Sequence, residues 1–120
     1  MANTTSLIWN SVPNPAAYAT VIISNNDVNV AGVIEIEVFL TIEGISTPVA
    51  HEQFAVPPLI NYIRVYGLIG ASAYEIQYNV TGTSNFSVNI FPTDVGGNFI
   101  GAQRVLGSET QEISQLTPIF

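Results

Sequence analysis

His51 is the single histidine of the chain, so any Ser-His-acid triad would have to be built on it, with a serine and a carboxylate delivered by folding. The G-x-S-x-G turn that exposes a serine nucleophile is absent. His51 lies in the polar run A-H-E-Q, which reads as part of a strand, and an exposed or edge histidine is the expectation. Glu35 and Glu37 stand two apart on another strand, which sets their side chains on one face roughly 6.5–7 Å apart. Glycosidase carboxylates can span that separation, but no aromatic-and-basic cluster accompanies these two, and glycoside hydrolysis is not expected. Asp94 with Gly96, Gly97 and Asn98 is faintly like a calcium turn. Calcium wants several carboxylates at set spacing, so a hairpin turn is the better reading. One histidine without cysteine cannot make a zinc site of the usual kind, and no metal site is expected. The phosphate-loop and dinucleotide glycine patterns are missing as well. The residues add up to no active site: neither an enzyme nor a cofactor is expected. Asn3-Thr4-Thr5, Asn79-Val80-Thr81 and Asn85-Phe86-Ser87 match the N-glycosylation triplet, which a chain rich in Asn and Thr produces by chance.

The elements that must position these residues are organised around 33–42, V-I-E-I-E-V-F-L-T-I. Ile34, Ile36, Val38, Leu40 and Ile42 take alternate positions and share one strand face. Val33, Glu35, Glu37, Phe39 and Thr41 share the other, which should be wet at its start, at the two carboxylates, and partly covered towards Phe39. A helix would scatter the aliphatics and misuse the β-branched residues. This is the central strand of a sheet with one buried face. Before it, 17–24 is a strand ended by Asn25-Asn26-Asp27, and Val28 and Val30 pair briefly ahead of Gly32. After it, Glu43-Gly44 turns the chain into 45–56, antiparallel and broken near Pro48, and Pro57-Pro58 stops that strand. Strands follow within 59–69, at 74–80 and at 86–91, separated by turns at 70–72 and 81–85. Gly96-Gly97-Asn98 signals a hairpin whose return is 99–106. The tail 109–120 reads as a last strand with an apolar end, with a short helix at 108–116 as the rival. About eight strands at these spacings predict an all-β, antiparallel β-sandwich, jelly-roll-like.

Of the 120 residues, 48% are hydrophobic, which excludes general disorder. Nine acidic residues face two arginines and no lysine, for a net charge of −7. That excludes nucleic acid as a partner, since phosphates need basic residues to neutralise them. The longest apolar runs fall well short of the ~18–20 residues that cross a bilayer, so no membrane insertion is expected. Only 9% of residues are charged, against about 25% usually. Lysine is the common guard of sheet edges, and its absence suits a protein whose edges are used. Without cysteine, durability must come from packing and backbone pairing. Residues 1–10 have neither a basic n-region nor a long apolar stretch, so synthesis without a signal peptide is the expectation.

Leu7-Ile8-Trp9 is an apolar patch ahead of Ser11-Val12-Pro13-Asn14-Pro15, a stretch kept out of helices and sheet interiors by its prolines. Residues 1–16 therefore divide off as an N-terminal arm and hinge, and 17–120 as the sandwich. An extended arm of about ten residues reaches ~30 Å, enough to lie along a neighbour's sheet; equally, Leu7–Trp9 can be the first strand of its own domain.

The second half carries F-A-V-P-P at 54–58, R-V-Y-G-L at 64–68, A-Y-E-I-Q-Y-N-V-T-G-T-S at 73–84 and F-S-V-N-I-F-P-T-D-V-G-G-N-F-I-G-A-Q-R-V-L-G-S-E at 86–109. These runs resemble small surface proteins of spore-forming Gram-positive bacteria, among them endospore-appendage subunits and exosporium-associated proteins. The resemblance implies a β-sandwich or jelly-roll domain that stacks into fibres, often through an N-terminal arm docked in the next subunit. It also implies synthesis in the mother cell and an extracellular place on the spore surface. Appendage pilins carry cysteines in the N-terminal connector, and residues 1–10 here have none. The expectation is a structural subunit that assembles non-covalently and head-to-tail with itself, with other spore-surface proteins as further partners. Its docking residues are Leu7, Ile8, Trp9, Ile119 and Phe120. The rival expectation is a surface-exposed carbohydrate-binding or adhesive module using Tyr18, Tyr62, Tyr66 and Tyr78.

Overall fold

The computed structural model describes residues 2–10, 14–83 and 85–119. Among them lie nine strands: β1 (Ala2–Thr4), β2 (Ile8–Trp9), β3 (Tyr18–Asn25), β4 (Gly32–Ile42), β5 (Ile45–Val56), β6 (Asn61–Gly67), β7 (Ala73–Thr81), β8 (Phe86–Thr93) and β9 (Gln111–Ile113). They form an antiparallel β-sandwich. The larger sheet runs β5-β4-β7-β1-β9, with β2 also paired to β7, and the smaller runs β6-β3-β8.

The alternation of β4 sets the core. Ile34, Ile36, Val38 and Leu40 are buried, as expected, whereas Ile42 at the strand's end is exposed. β7 pairs with β4 in register Ile36↔Tyr78, Val38↔Ile76 and Leu40↔Tyr74, so these three side chains extend the same inner face. The smaller sheet answers with Ala19, Val21 and Ile23 of β3 and with Val88 and Ile90 of β8. Each aliphatic buried this way contributes roughly 1.5–3 kcal/mol. At the margin between β5 and β6 the seal is mixed. The Arg64 guanidinium lies 4.4 Å from the Phe54 ring centre and 3.5 Å from Glu52 Oε2, and the Tyr66 hydroxyl donates to Glu52 Oε1 at 2.7 Å.

The β4–β5 hairpin turns on Glu43 and Gly44, whose φ angles of 52° and 78° are both positive. That is the two-residue turn whose twist matches a hairpin. Pro48 does not break β5, which lies at the sheet edge where a missing N–H is tolerated. Instead the register slips between Val38 and Phe39: Val38 faces Ala50, Phe39 faces Pro48, and Val49 is left as a bulge.

Two further expectations need correction. Val28 and Val30 form no strand; Asp27 Oδ1 accepts the amides of Asn29 and Val30 and rounds the chain into an exposed loop. Residues 99–106 do not return as a strand. Single bridges, Thr93↔Phe99 and Ile90↔Val105, flank a 3-10 turn at Gly101–Gln103. Pro92 has no N–H to give, so its carbonyl alone engages Ile100 and the ladder stops there. The tail holds the expected last strand, β9, after a 3-10 turn at Gly107–Glu109, and the rival helix at 108–116 does not form.

The outer face of the larger sheet is covered where wetness was expected. Beyond β9 the chain crosses it: the Thr117 amide donates to Gln77 Oε1 at 2.8 Å and Gln77 Nε2 donates to the Thr117 hydroxyl at 2.9 Å. Ala2, Thr4, Glu37, Phe39 and Gln77 are all buried on that side.

Candidate functional site

Residues 2–10 lie within the larger sheet of their own chain. β1 fits between two strands, pairing Ala2↔Asn79 and Thr4↔Gln77 on one side and Ala2↔Ile113 and Thr4↔Gln111 on the other. Ser6, at φ 60°, kinks the backbone, and β2 resumes with Ile8↔Tyr74 and Trp9↔Ala73. Ile8 packs against the core. Leu7 and Trp9 alternate to the other side and stand 62% and 74% exposed. Ile119 is half-buried in the crossing tail, and Phe120 lies outside the described residues.

The base of this segment is pinned by Asn10, a buried amide. Its Nδ2 donates to the carbonyls of Ala16 and Ala71, both at 3.1 Å, and its Oδ1 accepts the Ala16 amide at 2.7 Å. Gln103 Nε2 donates to the same Oδ1 at 3.2 Å, and Gln103 Oε1 accepts the Tyr74 hydroxyl at 2.8 Å. Burial pushes the Tyr74 hydroxyl well above the usual tyrosine range, so it stays protonated and donating. Nothing in the local sequence of 99–106 signals this network; the 3-10 turn brings Gln103 inward.

The β4–β5 hairpin gathers the residues singled out for chemistry. Glu37 faces His51 directly across the strands, and Glu35 faces Gln53. His51 Nε2 is 2.6 Å from Glu35 Oε2 and 3.9 Å from Glu37 Oε2. His51 is partly exposed on its edge strand, whereas the Glu37 side chain is only 5% exposed. Burial pushes the Glu37 carboxyl above its ordinary value; the neighbouring His51 pulls it down and Glu35 adds to the rise. The carboxylates expected as a wet pair thus differ: Glu35 is half-buried and Glu37 is enclosed. The bulge at Val49 decides this meeting. Without it His51 would oppose Ile36 and point to the core, because a one-residue slip exchanges the faces of a strand.

The remaining chemistry-bearing residues are engaged in structure. Asp94 Oδ1 accepts the amides of Gly96 and Asn98, both at 2.9 Å, and closes a turn with Gly97 at φ 82°. Tyr66 and Tyr78 are buried, which removes two of the four tyrosines considered for sugar stacking. A cleft of about 760 Å³ opens between β7, β8 and the 3-10 turn at Gly107–Glu109, among residues including Tyr78, Phe86, Asn89, Ser108, Thr110 and Glu112. Its described lining includes hydroxyls, amides and the Glu112 carboxylate beside the Tyr78 and Phe86 rings.

No family model matches the chain, and neither a curated protein nor a solved structure matches it. None of these comparisons links the chain to spore-surface proteins.

Proposed function

We propose that the protein is a structural subunit that self-associates non-covalently and head-to-tail. The polymer would be an extracellular fibre of the endospore-appendage kind, or a layer on the spore surface. The observation that carries the reading is the seat of β1, a slot between β7 and β9 filled by the chain's own first residues. A second copy's residues 2–9 offer the same backbone groups in the same order, so the slot accepts either segment. Asn10 is the natural pivot, and Pro13 and Pro15 follow it in sequence. Exchange of an N-terminal segment between identical chains is a head-to-tail contact, which produces a filament when it does not close into a ring.

Two further observations support this. Leu7 and Trp9 already face outward from β2, available to a neighbour once chains approach. β5 is a twelve-residue strand at the end of its sheet, and the chain has no lysine to guard it.

The experiment deletes residues 1–10 and supplies a synthetic 2–10 peptide in trans. The truncated protein should keep a β-type circular dichroism spectrum, melt lower, and form no polymers under the electron microscope. The peptide should restore its melting temperature. Polymers that persist after truncation, or a full-length protein that remains monomeric, would reject strand exchange.

A further inference from the structure

We propose that Glu35, Glu37 and His51 bind a divalent transition-metal ion, with zinc as the test ion. Each residue offers one donor atom, and the three atoms lie within 4.8 Å of one another. One imidazole nitrogen with two carboxylates is a borderline donor set that suits zinc, manganese or iron(II); calcium and magnesium prefer oxygen throughout.

The geometry fits such an ion with small adjustments. Two metal–ligand bonds of about 2.0–2.1 Å at a tetrahedral angle place their donors roughly 3.3 Å apart. His51 Nε2 stands 2.6 Å from Glu35 Oε2 and 3.9 Å from Glu37 Oε2, on either side of that value. An ion entering between the imidazole and Glu35 replaces the hydrogen bond they share. His51 is 46% exposed in its side chain, which leaves a path for the ion and room for water in the open position.

Glu37 is the independent observation. Its side chain is 95% buried, being 5% exposed, and its carboxylate is directed at His51. Yet Oε1 has no hydrogen-bond partner among the described residues. Burying an unpartnered carboxylate oxygen is costly, and an ion bound at this carboxylate offsets that cost. Among the described residues, His51 is the only ion-pair partner of Glu35 and Glu37. Across the strands stand the neutral Gln53, Gln77 and Asn79, while Arg64 pairs with Glu52, which faces Ile36 on the core side of the sheet. The β5 bulge completes the case, since it alone turns His51 to the carboxylate side. Bulges commonly re-aim a side chain next to a functional site.

The test titrates zinc chloride into chelator-stripped full-length protein, followed by calorimetry and thermal melting. One ion per chain should bind, and the melting temperature should rise by roughly 5–10 °C at zinc concentrations a hundredfold above Kd. Calcium chloride should produce no comparable rise. Glu37→Gln and His51→Gln should each weaken zinc binding at least tenfold, and the His51 ring signals in NMR should move on zinc addition. Glu37→Gln removes a buried charge and should fold; Glu35→Gln, at a half-exposed position, gives a second folded variant expected to weaken binding. Wild-type protein that binds no zinc overturns the proposal. So does zinc binding unchanged in Glu37→Gln and His51→Gln, which places the ion elsewhere on the acidic surface.

Discussion

Gln77 and Thr117 hold each other by two reciprocal hydrogen bonds of 2.8 and 2.9 Å, one from the Thr117 amide and one from Gln77 Nε2. Gln77 also donates to Glu75 Oε2 at 3.0 Å on the same strand, and that oxygen accepts the Thr4 hydroxyl as well, so the tail is linked through β7 to β1. Gln77→Ala removes all three bonds. The expected cost is about 1–3 kcal/mol, read as a lower urea midpoint, with earlier proteolytic release of residues 114–120. A midpoint equal to wild type would show that this pair does not hold the tail.

Asn10 connects the N-terminal segment to the core through Ala16, Ala71 and Gln103. Asn10→Ala leaves the buried Ala16 amide and two carbonyls without their partner, at an expected cost of about 2–4 kcal/mol. Gln103→Ala should be partly redundant with it, with a coupling of about 1 kcal/mol in a double-mutant cycle. Strict additivity would mean that the two amides act separately.

Glu43 occupies a left-handed position, φ 52°, in the β4–β5 turn. Asparagine tolerates that conformation better than glutamate. Glu43→Asn should therefore stabilise the domain by about 0.5–1 kcal/mol, seen as a melting temperature a few degrees higher. A lower value would indicate that the Glu43 side chain makes a contribution of its own.

Asp27 sets the acid limit of its loop. The amides of Asn29 and Val30 pull its carboxyl below the ordinary value of 3.8; desolvation opposes this, and Thr83 and Asn85 add to the lowering. Since the folded value is the lower one, the unfolded chain binds more protons as pH drops through 3.8, and stability falls. The contribution is complete above that pH and is lost as pH approaches the folded value. Asp27→Asn should be destabilised at pH 7 relative to wild type, with the difference shrinking below pH 4. A gap that is constant from pH 7 to 3 would remove the carboxylate's charge from the explanation.

β4 was legible because its aliphatics alternate without interruption and its neighbours are turn residues. Local alternation could not show what lies on a face once the chain returns, and Glu37 is buried on a side crossed by a tail some 80 positions later. The meeting of His51 with Glu37 was hidden for a different reason. A plain two-residue hairpin at Glu43-Gly44 places His51 opposite Ile36, and only the bulge at Val49 moves it one position on. The return of 99–106 failed because alternation of Phe99 and its successors says nothing of Pro92, whose missing amide ends the ladder from the partner side. Asn10 and Gln103, joined across the fold, carry no local signal at all.

The seat of β1 between β7 and β9 also orders events during synthesis. Residues 2–4 leave the ribosome early, but their partners at 77–79 and 111–113 appear only much later. Until then the first strand has no place in its own molecule, and its pairing waits on contacts of very long sequence separation, which form slowly. A nascent chain therefore carries an unmatched strand until its own slot has formed, whereas a finished neighbour's slot is already filled by that molecule's β1. Under the proposed strand exchange, closing on itself competes with joining another chain that has not yet closed, so dilute expression should favour the closed monomer and crowded expression the polymer.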